Sequence, residues 1–188
     1  MKIVGLSGST VGTTTRTAMS YTMDTLRNYD PEIETQLIDL ADYDIQFSDG
    51  RSFIEYTGDT REVAEILMAA NAIIIGTPIF QASIPGALKN VFDLLPVNAF
   101  EDKVVSVLVT AGSSKHYLVA DQQLRPILTY MKAQVVQNYV FIEAKDIHRG
   151  EIVSDDVTLR IDRLVEDTAV LTQTFSQMRR DREAAYAF

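Results

Sequence analysis

"KIVGLSGSTVGTTTRT" (residues 2–17) sets the architecture: the apolar run Lys2–Leu6 leaves directly into a loop of hydroxyls. From Gly5 to Thr17, seven of thirteen residues are Ser or Thr, three are Gly, and only Arg16 is charged. Then "TTRTAMSYTMDTLRNY" (14–29) spaces Ala18, Met19, Tyr21, Thr22 and Leu26 for one helix face. A short strand, a polar loop and an amphipathic helix make the opening βα unit of a parallel sheet.

The same unit recurs along the chain. "EIETQLIDL" (32–40) alternates like a strand near a sheet edge, and "DTREVAEILMAA" (59–70) reads as a helix capped by Asp59 or Thr60. "NAIIIGTP" (71–78) carries four consecutive apolar residues, as a strand buried on both faces does. "PGALKNVFDLL" (85–95) begins a helix on a proline. "KVVSVLVT" (103–110) is a second central strand, and a helix is expected from about Lys115 to Ala133. "QVVQNYVFIEA" (134–144) follows as one strand, and a last helix covers roughly Asp155–Arg182. Pro126 lies inside the fourth helix and cannot donate to the Gln122 carbonyl, so a kink or local widening is expected near Gln122–Gln123. Five strands alternating with five helices predict an α/β, flavodoxin-like doubly wound parallel sheet of order 2-1-3-4-5 with helices on both faces. A single domain over residues 1–188 is expected from the length.

Composition removes several classes of function. A net charge of −9 disfavours a surface that tracks nucleic-acid phosphates. With no cysteine and only His116 and His148 as imidazoles, no metal site is expected. The longest apolar run is too short to span a bilayer, and the first residues show no secretory pattern, so a cytoplasmic protein is expected.

In the 2-1-3-4-5 order, ligands bind beyond the carboxyl ends of the strands where the order reverses, between strands one and three. The loop after strand one enters a helix N-terminus, whose free N–H groups and positive dipole end favour an anion. No Gly-Lys-Ser/Thr closes this loop, so it is no P-loop, and glycines at 5, 8 and 12 do not make G-x-G-x-x-G. Hydroxyls and amides suit one terminal phosphate monoester, as FMN presents. Side chains of Ser9, Thr14 and Thr17 are the candidates, with the amides of Thr15 and Arg16. A plain cap and turn would use the same residues. In "GTPIFQASIPGALKN" (76–90), Ile79, Phe80 and Gln81 offer flat apolar surface and a polar tip to a ring system, although Phe80 also suits a core. "TAGSSKH" (110–116) is small enough for close backbone approach, or is a simple turn. His116 sits beside a ring placed there, or caps the fourth helix.

Taken together, "GSTVGTTTRT", "TPIFQASIPGALKN" and "TAGSSKH" resemble the NAD(P)H-dependent FMN reductases of flavodoxin-like fold. The specific motif is P-x-aromatic-x-x-S-x-P-G-x-L-K-N, reproduced by Pro78, Phe80, Ser83, Pro85, Gly86, Leu88, Lys89 and Asn90. "HYLVADQQLRPILTYMKAQ" (116–134) is similar to the branch that supplies reduced flavin to alkanesulfonate monooxygenases. The likeness spans roughly residues 2–145, with Val11 where family members often carry arginine.

The resemblance implies hydride transfer from nicotinamide C4 to flavin N5, with no side chain acting as acid or base. It implies an FMN site made of Ser9, Thr14, Thr15, Arg16, Thr17, Pro78, Ile79, Phe80, Gln81, Ser83, Thr110, Ala111, Gly112, Ser113 and His116. NADPH or NADH is the co-substrate, with Arg16, Lys115 and Arg125 as candidates for a 2′-phosphate. Flavin and nicotinamide substrates, a flavin-dependent monooxygenase as acceptor, and a homodimer or homotetramer are the implied partners, without nucleic acid or membrane. The alternatives are an FMN-bound quinone or azo reductase, a flavodoxin-like electron carrier that ignores NAD(P)H, and a regulatory protein without flavin.

Overall fold

The computed structural model describes residues 1–186. Strands β1 (Lys2–Ser7), β2 (Glu34–Asp39), β3 (Ala72–Pro78) and β4 (Val104–Ala111) pair in parallel in the order β2-β1-β3-β4. Beyond β4 lie two short strands, β5 (Gln134–Val135) and β6 (Val140–Glu143), both parallel to it. Since β3 occupies the other edge of β4, they share the fifth position of the 2-1-3-4-5 order.

The single strand expected over 134–144 is therefore interrupted. Val105 faces Val135 and Leu108 faces Val140, so this edge spends two more residues than β4 over that interval. The surplus residues interrupt the pairing, and the Gln137 carbonyl within them accepts from the Arg125 guanidinium at 2.7 Å. A small antiparallel hairpin, β7 (Ile147–His148) and β8 (Glu151–Ile152), turns through Arg149 and Gly150, both at positive φ. His148 is exposed on it.

Helices cover both faces. Val4, Leu6, Ile73, Ile75, Val105 and Val107 pack toward α2 (Gly58–Ala69), α3 (Gly86–Leu94) and α4 (Arg125–Tyr130). Ile3, Ala72, Ile74, Val104 and Leu108 pack toward α1 (Thr14–Tyr29) and α5 (Asp155–Tyr186). Burial on both sides is why these strands read as unbroken apolar runs. Along β3, Gly76 is required by packing: a Cβ there would lie 2.5 Å from the Cγ and Sδ of Met19 on α1. On the same face the buried Thr168 hydroxyl of α5 donates to the Leu164 carbonyl and lies 2.9 Å from Ser106 Oγ in a hydroxyl–hydroxyl hydrogen bond.

Before α4 the helix is not regular. Ala120–Leu124 form a π turn, with the Arg125 N–H reaching back five residues to the Ala120 carbonyl. This is the widening expected from Pro126, although the segment from Lys115 begins as a 3₁₀ turn, Ser114–His116.

The polar stretch 41–58 is pinned rather than loose. Its backbone donates at Asp44 to Asp59 Oδ2, at Gln46 to Thr60 Oγ1 and at Ser48 to Asn90 Oδ1. Asp59 and Thr60 thus hold this stretch instead of capping α2, whose cap position is Thr57. Tyr56 is buried at its centre, with its hydroxyl donating to Asp49 at 2.6 Å and Arg51 lying 4.3 Å above its ring. Arg51 first, then the Tyr56 hydroxyl, lowers the Asp49 carboxyl from 3.8 to about 2. A depressed folded value means the stabilisation is full above the unfolded pKa and is lost as pH falls through the folded one. The stability gap between wild type and Asp49→Asn, read from urea midpoints, is expected to be constant above about pH 5 and to close between about pH 4 and 2.

Candidate functional site

Three loops leave β1, β3 and β4 at the carboxyl edge of the sheet, and hydrogen bonds tie them together. Gly8 N donates to the Gly76 carbonyl at 2.7 Å, and Ile79 N to the Thr110 carbonyl at 3.1 Å. Thr15 Oγ1 and Thr110 Oγ1 are 2.8 Å apart in a buried contact that joins the first turn of α1 to the end of β4. The order reverses between β1 and β3, so this rim is the switch point of the sheet.

The N-terminus of α1 is open. Thr13 at the cap position makes no side-chain cap bond, and the first turn holds no acidic residue. The Ser9 hydroxyl instead donates to the Val11 carbonyl at 2.7 Å and so shapes the loop. Gly12, at φ +76°, supplies the left-handed residue that turns the chain into the helix. Among the described residues no side chain accepts from the amides of Thr14, Thr15 or Arg16, so these N–H groups and the helix dipole face the rim unpaired. The Ser7 hydroxyl, fully buried at the end of β1, is likewise without a partner.

Arg16 does not add a free charge here. Its guanidinium donates to Asp39 at 2.5 Å and to Asp42 at 2.6 Å, and Asp42, then Asp39, raises its pKa. Arg125 is similarly engaged with Asp121 at 2.9 Å. Both guanidiniums, candidates for a nucleotide 2′-phosphate, thus have carboxylate partners within the chain.

The β3 loop makes a tight turn at Phe80–Ser83, closed by Phe80 N to Ser83 O at 2.9 Å and Ser83 N to Phe80 O at 3.0 Å. Gln81 and Ala82 both sit in the left-handed region, at φ 51° and 59°. Such a turn prefers Asn-Gly; holding two other residues there costs of order 1 kcal/mol each.

Together the loops enclose a cavity of about 330 Å³ lined by Ser9, Val11, Gly12, Thr14, Thr15, Pro78, Ile79, Phe80, Thr110, Ala111, Gly112 and Ala144. None of these side chains is ionisable. Nine of the expected site residues line it, and Val11, Gly12 and Ala144 are additions. Ala144 follows β6 and had no signal in its own sequence neighbourhood. Arg16, Thr17, Gln81, Ser83, Ser113 and His116 lie off the lining. Thr17, whose side chain is the candidate, lies in the second turn of α1 with its amide bonded to the Thr13 carbonyl. His116 is exposed in its 3₁₀ turn and does not cap α4. A larger hollow, about 870 Å³, lies at the opposite edge between Met1, Asn71 and the end of α5, away from the three loops.

The sequence model of the family described as NADPH-dependent FMN reductase matches residues 1–146. The chain belongs to that family. It is 39% identical over 165 residues, 87% of this chain and 89% of the other, to an NAD(P)H-dependent FAD/FMN reductase of Geobacillus thermodenitrificans. It is 26% identical to an FMN reductase (NADPH) of Pseudomonas aeruginosa, over 90% of this chain and 91% of that one. The apo form of the NADH:FMN oxidoreductase EmoB superposes with a TM-score of 0.76 at 26% identity, covering 90% of this chain and 88% of that one. Membership of this reductase family makes the chain an oxidoreductase of flavodoxin-like fold. Among the described residues no helix is long and apolar enough to cross a membrane, and no cluster of His, Cys, Asp and Glu is arranged to hold a metal.

The Thr15–Thr110 bond gives a direct test of how the rim is held. Thr110→Val leaves one buried hydroxyl unpaired and is expected to cost about 1–3 kcal/mol in chemical denaturation. The double variant Thr15→Val/Thr110→Val is expected to recover part of that loss, because both partners are then apolar.

Proposed function

We propose that this chain, acting as one unit over residues 1–188, binds FMN at the three-loop rim and reduces it with NADPH or NADH. The observation that carries this reading is the uncapped N-terminus of α1 opening on a neutral, hydroxyl-lined cavity. The amides of Thr14, Thr15 and Arg16 would donate to the terminal phosphate, and Ser9 and Gly12 would hold the loop around it. These are the donors a phosphate monoester needs without a metal. Phe80, Ile79 and Pro78 give the ring system an apolar wall, and the small residues Thr110–Gly112 allow close backbone approach from the other side.

Bound there, the flavin supplies the two-electron chemistry by accepting a hydride from the nicotinamide. The protein's part is to bind, orient and exclude water. With a lining free of ionisable groups, no side chain donates or takes a proton at the reacting atoms. Phe80, 39% exposed, leaves one side of the rim open for the nicotinamide. Lys115, exposed and without an ion pair among the described residues, is the cation at this edge that remains available to a 2′-phosphate. The acceptor that would take the electrons is a flavin-dependent monooxygenase, the partner the family likeness favours. A cytoplasmic location and a homodimer or homotetramer complete the proposal. The apolar groove between α3 and α4, with Phe92, Leu95, Ile127 and Tyr130, supports self-association.

The test is a fluorescence titration of FMN with purified protein, followed by NADPH and NADH oxidation with and without added FMN. Quenching, and oxidation that requires FMN, are expected; a protein that neither quenches FMN nor oxidises either nucleotide overturns the reading. Val11 lines the phosphate end and is 63% exposed. Val11→Arg is expected to tighten FMN binding by about fivefold to tenfold at low salt, with the gain shrinking as ionic strength rises.

A further inference from the structure

The left-handed turn at Phe80–Ser83 is not held by its own sequence. Neither Gln81 nor Ala82 is the asparagine or glycine that such a turn selects. Its support comes from the π turn that precedes α4. Gln123 Oε1 accepts from the Ser83 hydroxyl at 2.5 Å, and Gln123 Nε2 donates to the Ala82 carbonyl at 3.1 Å. One side chain thus grips the far half of the turn through both ends of its amide, across forty positions of sequence. The π widening accounts for how it reaches. Ala120 and Leu124 remain buried in the core, while the extra residue in this turn of helix leaves Gln122 exposed and Gln123 half-buried against the loop.

We infer that Gln123 is a positioning residue for the proposed flavin site: it fixes the strained turn, and through it the placement of Phe80 and Gln81 at the rim. This rests on the FMN-binding reading above, but the mechanical part stands without any ligand. The Ser83 hydroxyl, expected from sequence to touch cofactor, is then spent on Gln123. The π turn and the β3 loop act as one support, so a change in the helix reaches the ring wall without any residue of the helix entering the cavity.

The inference is tested with Gln123→Ala and with the rescue variant Ala82→Gly/Gln123→Ala, which restores a glycine at the turn position that favours it. Amide hydrogen exchange over residues 79–84 of the flavin-free protein is the first readout. Gln123→Ala is expected to speed it by about tenfold, the loss of two modest hydrogen bonds, and the double variant to return it to near the wild-type rate. The second readout is the FMN dissociation constant by fluorescence quenching, expected to rise about tenfold in Gln123→Ala and to recover to within about twofold in the double variant. Ala82→Gly alone should leave both near wild type. A folded Gln123→Ala with unchanged exchange and unchanged FMN affinity overturns the inference. So does a loss that the glycine fails to restore, since a general weakening of α4 would not be repaired at position 82. Wild-type protein that shows the exchange pattern yet never quenches FMN would sink the proposed function and leave the turn's support intact.

Discussion

The rim depends on how closely α1 lies on the sheet. At Gly76 a single added carbon would overlap Met19, and at Gly5 it would meet the Met23 sulfur at 2.8 Å. With no side chains at these two positions, the helix settles onto β1 and β3, its methionines filling the space over the backbone. The γ-methyl carbon of Thr15 lies 3.2 Å from the same Gly76 position, which is how the first turn of α1 comes within reach of Thr110 on β4. The proximity of the three loops is therefore a consequence of close helix–sheet packing several residues below them.

Electrostatics at the rim follow from what is absent from the cavity wall. A cationic side chain beside the helix N-terminus would bind an anion more strongly, but it would also tie the site to ionic strength. Here Arg16 is engaged by Asp39 and Asp42, leaving amides and hydroxyls as the donors. Amides fixed at a helix end need no reorientation when an anion arrives, so their cost is met when the protein folds. Neutral surroundings suit a reaction whose reactive group is brought by a cofactor rather than by a side chain.

Much of this was legible in the chain. The runs at 2–6, 71–78 and 103–110 appear as β1, β3 and β4 because central parallel strands are apolar on both faces and carry a strong one-dimensional signal. The hydroxyl loop and the Pro78–Asn90 motif meet at one edge, as the order of the strands requires. The features that escaped depend on partners distant in sequence. The run 134–144 has the composition of one strand, and its break shows only when pairing with β4 is counted. Asp59 and Thr60 look like helix caps, yet they serve amides fourteen or fifteen residues away. Ala144 has no chemistry of its own and lines the cavity only because β6 ends beside β4. His116 follows the third loop in sequence but is exposed in its 3₁₀ turn and is not among the residues lining the cavity.

Several departures from local preference border the three loops. Two consecutive non-glycine residues at left-handed φ, a helix widened to a π turn and the uncapped N-terminus of α1 lie at or beside these loops. Single non-glycine left-handed residues also occur at Asp102, Lys132 and Arg149, but the consecutive pair Gln81–Ala82 lies in this loop. Two successive non-glycine residues in the left-handed region make this turn a costly arrangement that its surroundings must hold. Each departure also has a definite structural result: the open helix end leaves donors free, the turn sets Phe80 at the edge, and the widened helix brings Gln123 under that turn. The stable core is thus the platform on which the strained rim is carried, and Gln123 is one point where the two are joined.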